Sequence, residues 1–188
     1  MPTAYIGMGA NVPSAAGAPE ATLAAAVEHL AQLGTVTARS HLYSTEPVGF
    51  IHQPRFINAV VALETDLAPR PLLDALQEIE REFGRNREAE IRNGPRTLDL
   101  DILFFGDAVI CENGLEIPHP RMFERAFTLI PLHEIAPDLR DPRTKLSVTQ
   151  WVQRPCSVPH HDNSSIIPIQ SALWRPGVER DAGRHDAS

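Results

Sequence analysis

The run TLDLDILFFG at positions 97–106 constrains the fold and the chemistry of this chain more than any other stretch. Alternate side chains of a β-strand point to opposite faces, so this run places Asp99 and Asp101 together on the face opposite its leucines. Two negative charges roughly 6 Å apart repel each other by about 3 kcal/mol at an effective dielectric near 20, and by under ~1 kcal/mol in bulk water. An exposed strand tolerates such a pair, whereas a sheet face in a cleft requires cations beside it.

Divalent cations with oxygen ligands are the natural compensation for two neighbouring carboxylates. Mg²⁺ held by carboxylate and phosphate oxygens is typical of phosphoryl-transfer sites. Two acids in a D-x-D pattern are weak evidence alone, and a solvated strand face is the alternative interpretation. Guanidinium groups bind phosphate in a bidentate manner. Five arginines fall within the sixteen positions just before the run TLDLDILFFG: Arg81, Arg85, Arg87, Arg92 and Arg96. A mobile, solvated loop would also account for the arginines, but together the two features favour a bound polyanion.

Composition bounds the class of protein. The chain has 188 residues, 43% hydrophobic and 22% charged, as expected for one ordinary globular domain. Its net charge of −7 argues against a nucleic-acid partner. No apolar run is long enough to cross a membrane, and the N-terminus lacks the pattern of a secretory signal. The two cysteines, Cys111 and Cys156, give no disulfide framework, so we expect a cytoplasmic protein.

The periodic part of the sequence predicts a domain over residues 1–153, followed by a low-order C-terminal tail over 154–188. The tail is rich in Pro, Ser, His and Asp and shows no sustained period. Three of its residues, Cys156, His160 and His161, are metal-ligand types, but in such a segment coincidence is the better interpretation. Trp174 could dock on the domain or on a partner, and the sequence does not separate these two.

Hydrophobic periodicity predicts alternating strands and helices within the domain. The helical pattern over 121–136 has a break near Pro131, and Ser147 is the expected cap of the last helix. A hairpin through Gly106 and Asp107 is expected to join two of the strands. The predicted strands are 3–9, 36–44, 56–65, 97–106 and 108–111, and the predicted helices are 20–33, 69–84, 121–136 and 147–153. This irregular alternation favours the α+β class, with helices packed on an antiparallel or mixed sheet.

Several blocks of the chain carry a family resemblance. The stretch NGPRTLDLDILFFGD resembles the central motif of the 6-hydroxymethyl-7,8-dihydropterin pyrophosphokinase family. The blocks AYIGMGAN, YSTEPVGFIHQPRFINAVVALET, LLDALQEIEREFGR and IPHPRMFERAFTLIPLHEIAPDL match the same family in order and spacing. The resemblance covers residues 3 to about 153. It implies a ferredoxin-like α+β core with a mainly antiparallel sheet flanked by helices.

The resemblance also implies a reaction. Diphosphate would pass from ATP to the hydroxymethyl oxygen of the dihydropterin, releasing AMP, in folate biosynthesis. Two Mg²⁺ ions would assist, ATP would be the co-substrate, and the partners would be these small molecules, with the protein a monomer. We expect no general base, because positioning and electrostatics supply most of the catalysis in phosphoryl transfer.

Residue roles follow from the same resemblance. The metal ligands would be Asp99 and Asp101, and the catalytic residues Arg85, Arg96 and Asp101. The ATP site would comprise Gln77, Glu80, Arg87, Arg92, Arg96, Ile102, His119 and Arg125. The pterin site would comprise Thr45, Val48, Phe56, Asn58 and Phe127.

Physical chemistry supports these roles to different degrees. A pterin needs aromatic faces and a residue that is both donor and acceptor, and Phe56, Phe127 and Asn58 offer these. From the sequence alone, the two phenylalanines read equally as core residues. Asn58 interrupts an apolar strand, where an unsatisfied amide is costly, so a partner is expected. His119 lies between two prolines and would otherwise be an ordinary turn residue.

Departures from the family pattern concern the loops. Asn93 stands where many members carry an aromatic residue, Glu46 where a proline is frequent, and Pro120 where a tyrosine is common. The arginine loop, GRNREAEIRNGPR at 84–96, is one residue longer than in some relatives. Gln77 and Glu80 could equally form a solvated face of their helix.

Two other classes of function compete. A D-x-D nucleotidyltransferase would release pyrophosphate, and it usually needs a third carboxylate, for which Glu64 is the nearest candidate. A sheet that binds RNA would carry exposed aromatic and basic side chains, where this one carries aspartates.

Overall fold

The computed structural model of the chain describes residues 1–86, 93–154 and 166–178. In these residues the strands are β1 Thr3–Ala10, β2 Thr35–Arg39, β3 Leu42–Thr45, β4 Phe56–Glu64, β5 Asp99–Phe105, β6 Ile110–Glu112, β7 Leu115–Ile117, β8 Ile167–Ile169 and β9 Gly177–Val178. The helices are α1 Pro19–Leu30, α2 Pro69–Glu82, α3 Ala126–Ile135 and α4 Val148–Val152, with a 3₁₀ turn at Met122–Glu124.

One antiparallel sheet organises the domain. Its strands lie in the order β5-β1-β4-β2-β9, while β3 also pairs with β4 and β8 pairs with β3. The succession β1-α1-β2-β4-α2-β5 with the strand order β5-β1-β4-β2 is the ferredoxin-like arrangement. The predicted α+β fold, a mainly antiparallel sheet flanked by helices, is confirmed.

Helices α1 and α2 cover one face of the sheet. The predicted apolar stripe of α2 is buried at Leu72, Leu76 and Ile79, and it packs with alternate residues of the strands in the larger of two core clusters. A second cluster, which includes Leu103 and Leu129, lies under α3 on the opposite face. Since α3 and its neighbours cover only part of that face, the remainder forms the floor of a cleft.

Two predicted elements differ from the structure in their pairing. The single strand predicted over 36–44 is two strands, β2 and β3, separated by Ser40 and His41. The strand predicted to form a hairpin with β5 through Gly106 instead pairs with β7 in a separate two-stranded sheet. Both errors arise because alternation predicts a strand but does not specify its partner.

The helical region after the arginine loop also differs in detail. Pro131 lies inside α3, and the break comes earlier, where Arg125 is extended (φ −124°) between the 3₁₀ turn and α3. Burial of Leu129 and Leu132 on either side of the proline holds α3 together. The predicted cap of α4 is confirmed, since Ser147 Oγ accepts a hydrogen bond from the Gln150 backbone nitrogen and the Ser147 backbone nitrogen donates to Gln150 Oε1.

Part of the predicted low-order tail is ordered. Residues 166–178 form β8 and β9, and Trp174 is buried in the larger core cluster. The prediction failed for this stretch because a strand of two or three residues has no detectable period. The remaining tail, 155–165 and 179–188, lies outside the described residues, and so do Cys156, His160 and His161.

Candidate active site

Residues of three neighbouring strands stand in register across the open face of the sheet. Gly9 of β1 lies opposite Asn58 of β4 on one side and opposite Asp99 of β5 on the other. Gly7, two residues earlier on β1, lies opposite Val60 of β4 and Asp101 of β5. Residues in register share a face, so Asp99 and Asp101 lie on one side of Gly7 and Gly9 and the Asn58 amide lies on the other. We call Gly7 and Gly9 the glycine strip.

The glycines keep the space above this strip open. A methyl group at position 9 would lie 2.9 Å from Oδ1 of Asn58, closer than carbon and oxygen approach without bonding. A methyl group at position 7 would lie 3.2 Å from a methyl carbon of Leu103. The sequence signal for this feature is GMG within the first strand, in which the two glycines fall on one face.

The strip is the floor of an open cleft. Most of the residues predicted to bind substrate or metal line it, namely Thr45, Val48, Phe56, Asn58, Arg96, Asp99, Asp101, His119, Arg125 and Phe127. The residues of the lining that were not predicted as site residues are Gly7, Met8, Gly9, Glu46, Ala59, Val60, Asn93, Leu103, Arg121 and Thr128.

Asp99 is held by two arginines. Its Oδ1 lies 2.5 Å from a guanidinium nitrogen of Arg85, and its Oδ2 pairs with Arg96. Burial raises the pKa of this carboxyl, but the positive charges of Arg96 and Arg85 outweigh burial and hold the pKa below its ordinary value. Asp99 is therefore an anion at neutral pH.

Asp101 has the opposite electrostatic environment. Burial, followed by repulsion from Asp99, raises the pKa of Asp101 to about 7. No residue in the described part of the chain forms an ion pair with it, although Arg125 and Arg85 partly offset the repulsion. The predicted repulsion between two carboxylates is thus present, and within the described residues only Asp99 forms ion pairs with arginines.

Glu80 lies behind the sheet rather than in the cleft. Its side chain is 1% exposed, and its Oε1 accepts hydrogen bonds from the Leu100 backbone nitrogen at 2.8 Å and from Arg85 at 2.5 Å. The guanidinium of Arg85, itself 4% exposed, bridges Glu80 to Asp99. The prediction that Glu80 lines the ATP site conflicts with this burial, because buried carboxylates require partners and this one has found them within the protein.

Other predicted ATP-site residues also lie away from the cleft lining. Ile102 is buried in the core cluster beneath α1 and α2, as the alternation of β5 requires, so its side chain lies on the face opposite the two aspartates. Gln77 is half-buried on α2 and is not part of the lining. Arg87 and Arg92 lie outside the described residues.

His119 is a neutral imidazole in the cleft. Burial, followed by the charge of Arg125, lowers its pKa to about 4. Its Nδ1 accepts a hydrogen bond from the Arg121 backbone at 3.3 Å, which assigns the ring proton to Nε2. His119 therefore offers one N–H donor at neutral pH rather than a positive charge.

The amide of Asn58 has the partner that its place in an apolar strand predicts. Its Nδ2 donates to Oγ1 of Thr45 at 2.7 Å, and both side chains are buried. Phe56 and Phe127 line the same cleft rather than the core, and the guanidinium of Arg125 lies 5.6 Å from the ring centre of Phe127. The aromatic faces and the fixed amide are therefore in one place.

A polar network that the sequence did not reveal joins two loops beside the cleft. Asn11 donates to Gln53 Oε1 at 3.0 Å and accepts from the Arg96 backbone at 2.7 Å. Gln53 in turn donates to the backbone oxygens of Asn93 at 2.8 Å and Phe50 at 2.7 Å. Hydrogen bonds from three distant segments have no periodic signal, so only coordinates could show them.

Comparison with known proteins agrees with this geometry. The sequence model of the family described as 7,8-dihydro-6-hydroxymethylpterin-pyrophosphokinase (HPPK) matches residues 5–137. The chain belongs to the HPPK family. The 2-amino-4-hydroxy-6-hydroxymethyldihydropteridine pyrophosphokinase of Pseudomonas aeruginosa is 49% identical over 140 residues, covering 73% of this chain and 83% of the relative. The enzyme of the same name from Bacillus subtilis is 44% identical over 158 residues, covering 80% of this chain and 91% of the relative.

A solved structure shares the fold. The crystal structure of wild-type HPPK-DHPS from Plasmodium falciparum matches with a TM-score of 0.62 at 16% identity, covering 80% of this chain. This HPPK-family chain spans 44% of the length of that protein. At this identity the likeness concerns the fold alone.

Family membership makes the chain an enzyme, a pterin pyrophosphokinase of folate synthesis that acts on small molecules with ATP as co-substrate. Within the described residues, no helix combines the length and apolar character needed to cross a membrane.

Proposed function

We propose that this HPPK-family enzyme transfers the β,γ-diphosphate of ATP to the hydroxymethyl oxygen of 6-hydroxymethyl-7,8-dihydropterin with the help of Mg²⁺. The oxygen attacks the β-phosphorus, the bond from that phosphorus to the oxygen of the α-phosphate breaks, and AMP leaves. The observation that carries the proposal is the cross-strand row in which Asn58, Gly9 and Asp99 stand in register. We also expect a cytoplasmic monomer, as the sequence predicts.

The pterin end of the cleft is the end at Asn58. The hydrogen bond that Asn58 Nδ2 donates to Thr45 Oγ1 fixes the amide, so that the amide oxygen is an acceptor in a defined position beside the glycine strip. Phe56 and Phe127 supply the aromatic surface on which a flat heterocycle stacks. A pterin bound there extends its hydroxymethyl arm across the glycines, toward the aspartates.

The aspartate end suits divalent cations. Carboxylate oxygens are the ligands that Mg²⁺ prefers, and Asp101 is a buried acid beside a second acid, a repulsion that Arg125 and Arg85 only partly offset. Asp99 and Asp101 would hold the metal, which when bound to the phosphates neutralises charge and polarises the phosphoryl oxygens. Ions that share their ligands with a nucleotide need few protein carboxylates. We propose two such ions.

Cationic side chains of the cleft lining suit the triphosphate. Arg96, Arg121 and Arg125 line the cleft, and Arg96 already pairs with Asp99. Bidentate guanidinium contacts orient phosphate oxygens and stabilise the charge that develops on the transferring group. The neutral His119 adds an N–H donor, so its contribution is directional rather than ionic. Arg87 and Arg92 are proposed to join this group from the arginine loop.

Arg85 is proposed to act from behind the site. Its guanidinium is bonded to Glu80 and Asp99 and lies outside the cleft lining, so in this state it orients the metal-binding carboxylate. Direct contact with the transferring group would require it to leave these partners. Gln77 and Ile102 contribute no side chain to the cleft, and Ile102 could meet a nucleotide only through its backbone.

The geometry weighs against the nucleotidyltransferase alternative. Glu64, the candidate third carboxylate, stands opposite Thr3, whereas Asp99 stands opposite Gly9 on the same strand. Six residues of strand separate the two positions by about 20 Å, too far for a shared metal.

Product analysis tests the proposal. Purified protein is incubated with Mg²⁺, ATP and the hydroxymethyl dihydropterin, and nucleotide products are separated by chromatography. AMP and pterin diphosphate in equal amounts support the proposal, whereas pyrophosphate as the released product supports nucleotidyl transfer. Asp101→Asn should abolish turnover, and Asp107→Asn, an exposed aspartate in the turn after β5, is the matched control. Near-normal activity of Asp101→Asn would refute the metal assignment.

A further inference from the structure

The segment 166–178 lies beyond residues 5–137, the stretch that the family model matches. It spans the bend at Ser40 and His41 between β2 and β3. Its first strand pairs with β3, with Ile169 opposite Leu42 and Ile167 opposite Ser44. Its second strand pairs with β2, with Val178 opposite Ala38. We call residues 166–178 the strap, because its two ends bind the two strands that the bend separates.

One residue of the strap enters the core. Trp174 is 4% exposed and packs in the larger core cluster, while its neighbour Leu173 is 63% exposed. The indole Nε1 donates a hydrogen bond to the backbone oxygen of Ser40 at 2.7 Å. An aromatic ring of this size contributes more buried apolar surface than any other residue type, so Trp174 is the main anchor of the strap.

Ser40 is the residue at which the bend is fastened to the sheet. Its backbone nitrogen donates to the Val60 oxygen at 3.0 Å, and its Oγ accepts from the Val60 nitrogen at 3.0 Å. Val60 belongs to the cleft lining. The remaining polar group of Ser40, its carbonyl, is the one that Trp174 binds, so the indole completes the hydrogen bonding of the bend.

The position of β3 matters for the cleft. This strand has four residues, and it ends at Thr45, whose Oγ1 accepts the amide of Asn58. One edge of β3 pairs with β4 and the other with β8. Without the strap, β3 would be a short edge strand with one paired edge, fastened otherwise by side chains such as Tyr43, which donates to Glu134 of α3. Short edge strands open readily.

We propose that Trp174 is a positioning residue for the pterin end of the cleft, acting through the strap, the Ser40 bend and β3 on the Thr45–Asn58 pair. Loss of this anchor frees β3 and allows Thr45 to move away from Asn58. The aspartate end of the cleft lies on β5, so it stays unchanged. The inference rests on the proposed function in that it takes the Thr45–Asn58 pair to bind the pterin.

The test compares three full-length variants with the wild type. Trp174→Ala removes the anchor, Trp174→Phe keeps an aromatic ring without the Nε1–H donor, and Leu173→Ala is the matched control at the exposed neighbouring position. Amide hydrogen exchange is measured over 42–45 and over 99–105, and KM is measured for the pterin and for ATP. Because exchange needs no turnover, it reports on the strap even if the enzyme proves inactive toward the pterin, a result that would refute the proposed function separately.

We expect Trp174→Ala to accelerate exchange over 42–45 and to raise the KM for the pterin about fivefold or more, with the KM for ATP and exchange over 99–105 within about twofold of wild type. Leu173→Ala should match the wild type throughout. Unchanged exchange over 42–45, or equal increases of the two KM values, would overturn the proposal, because the strap would then contribute nothing or only general stability. If Trp174→Ala does not fold, the same comparison is decided by Trp174→Phe, for which a smaller change of the same pattern is expected.

Discussion

Asn58 and Asp99 face each other across Gly9, on the same side of the sheet and two strand spacings apart. Neighbouring strands lie about 4.8 Å apart, so the amide and the carboxylate are separated by roughly 10 Å across the floor of the cleft. In the proposed reaction this interval holds the pterin ring and its hydroxymethyl arm. The side chain of the residue between them therefore has to be absent.

Substitution Gly9→Ala tests this requirement. The added methyl group would lie 2.9 Å from Asn58 Oδ1, so the amide must move away from its place beside Thr45. We expect the KM for the pterin to rise about tenfold, which corresponds to about 1.4 kcal/mol, with little loss of folding stability. Gly177→Ala is the control, since a methyl group there meets no atom within 4 Å. A variant with wild-type pterin KM would show that the glycine strip is not a binding surface.

The two aspartates should respond oppositely to loss of charge. In metal-free buffer, Asp101→Asn relieves about 1–3 kcal/mol of repulsion from Asp99, which raises the Tm of a domain of this size by about 2–10 °C. Asp99→Asn removes the partner of Arg85 and Arg96 and should lower the free energy of unfolding by about 1–3 kcal/mol. Thermal unfolding in the presence of a chelator measures both. Shifts of the same sign would contradict the electrostatic assignment.

Glu80 should be a stability residue rather than a nucleotide ligand. Glu80→Gln keeps an oxygen for the Leu100 amide but leaves the buried Arg85 with less compensating charge. We expect the free energy of unfolding to fall by about 2–4 kcal/mol in urea denaturation. The matched control is Glu78→Gln on the same helix, whose carboxylate is 56% exposed in its pair with Arg81 and should contribute under about 1 kcal/mol.

A KM for ATP that rises in Glu80→Gln without loss of stability would restore the role that family resemblance first implied. Equal stability of the Glu80 and Glu78 variants would show that the buried network does not hold the sheet together.

The sequence predicted those parts of the fold that depend on a local pattern. Alternation located β5 and put Asp99 and Asp101 on one face, and the helical period located α2 and its buried stripe. It could not show which strand pairs with which, so the bend at Ser40 and the small β6–β7 sheet were missed. The strap was missed because its anchor is one indole in a segment without a period.

For the site, the sequence predicted residues that are unusual for their local pattern, but not roles that depend on position in space. Residues whose chemistry is conspicuous in their context, such as Asn58 in an apolar strand, were predicted and line the cleft. The family resemblance assigned Glu80 to the ATP site, and its burial against the Leu100 amide and Arg85 depends on contacts that sequence spacing does not show. The role of Gly9 depends on what lies across the sheet from it, which sequence spacing does not show.

His119 should make folding stability depend on pH. Its pKa is about 4 in the folded protein, against an ordinary value of 6.5. Between these two pH values the unfolded chain binds more protons than the folded one, so the free energy of unfolding falls as the pH drops from about 7 toward 4. His119→Asn removes this titration and should flatten the dependence over that interval. Urea denaturation at pH 7, 6, 5 and 4.5 measures it for both proteins. Parallel curves for the wild type and the variant would show that His119 titrates alike in both states, contrary to its buried, neutral position in the cleft.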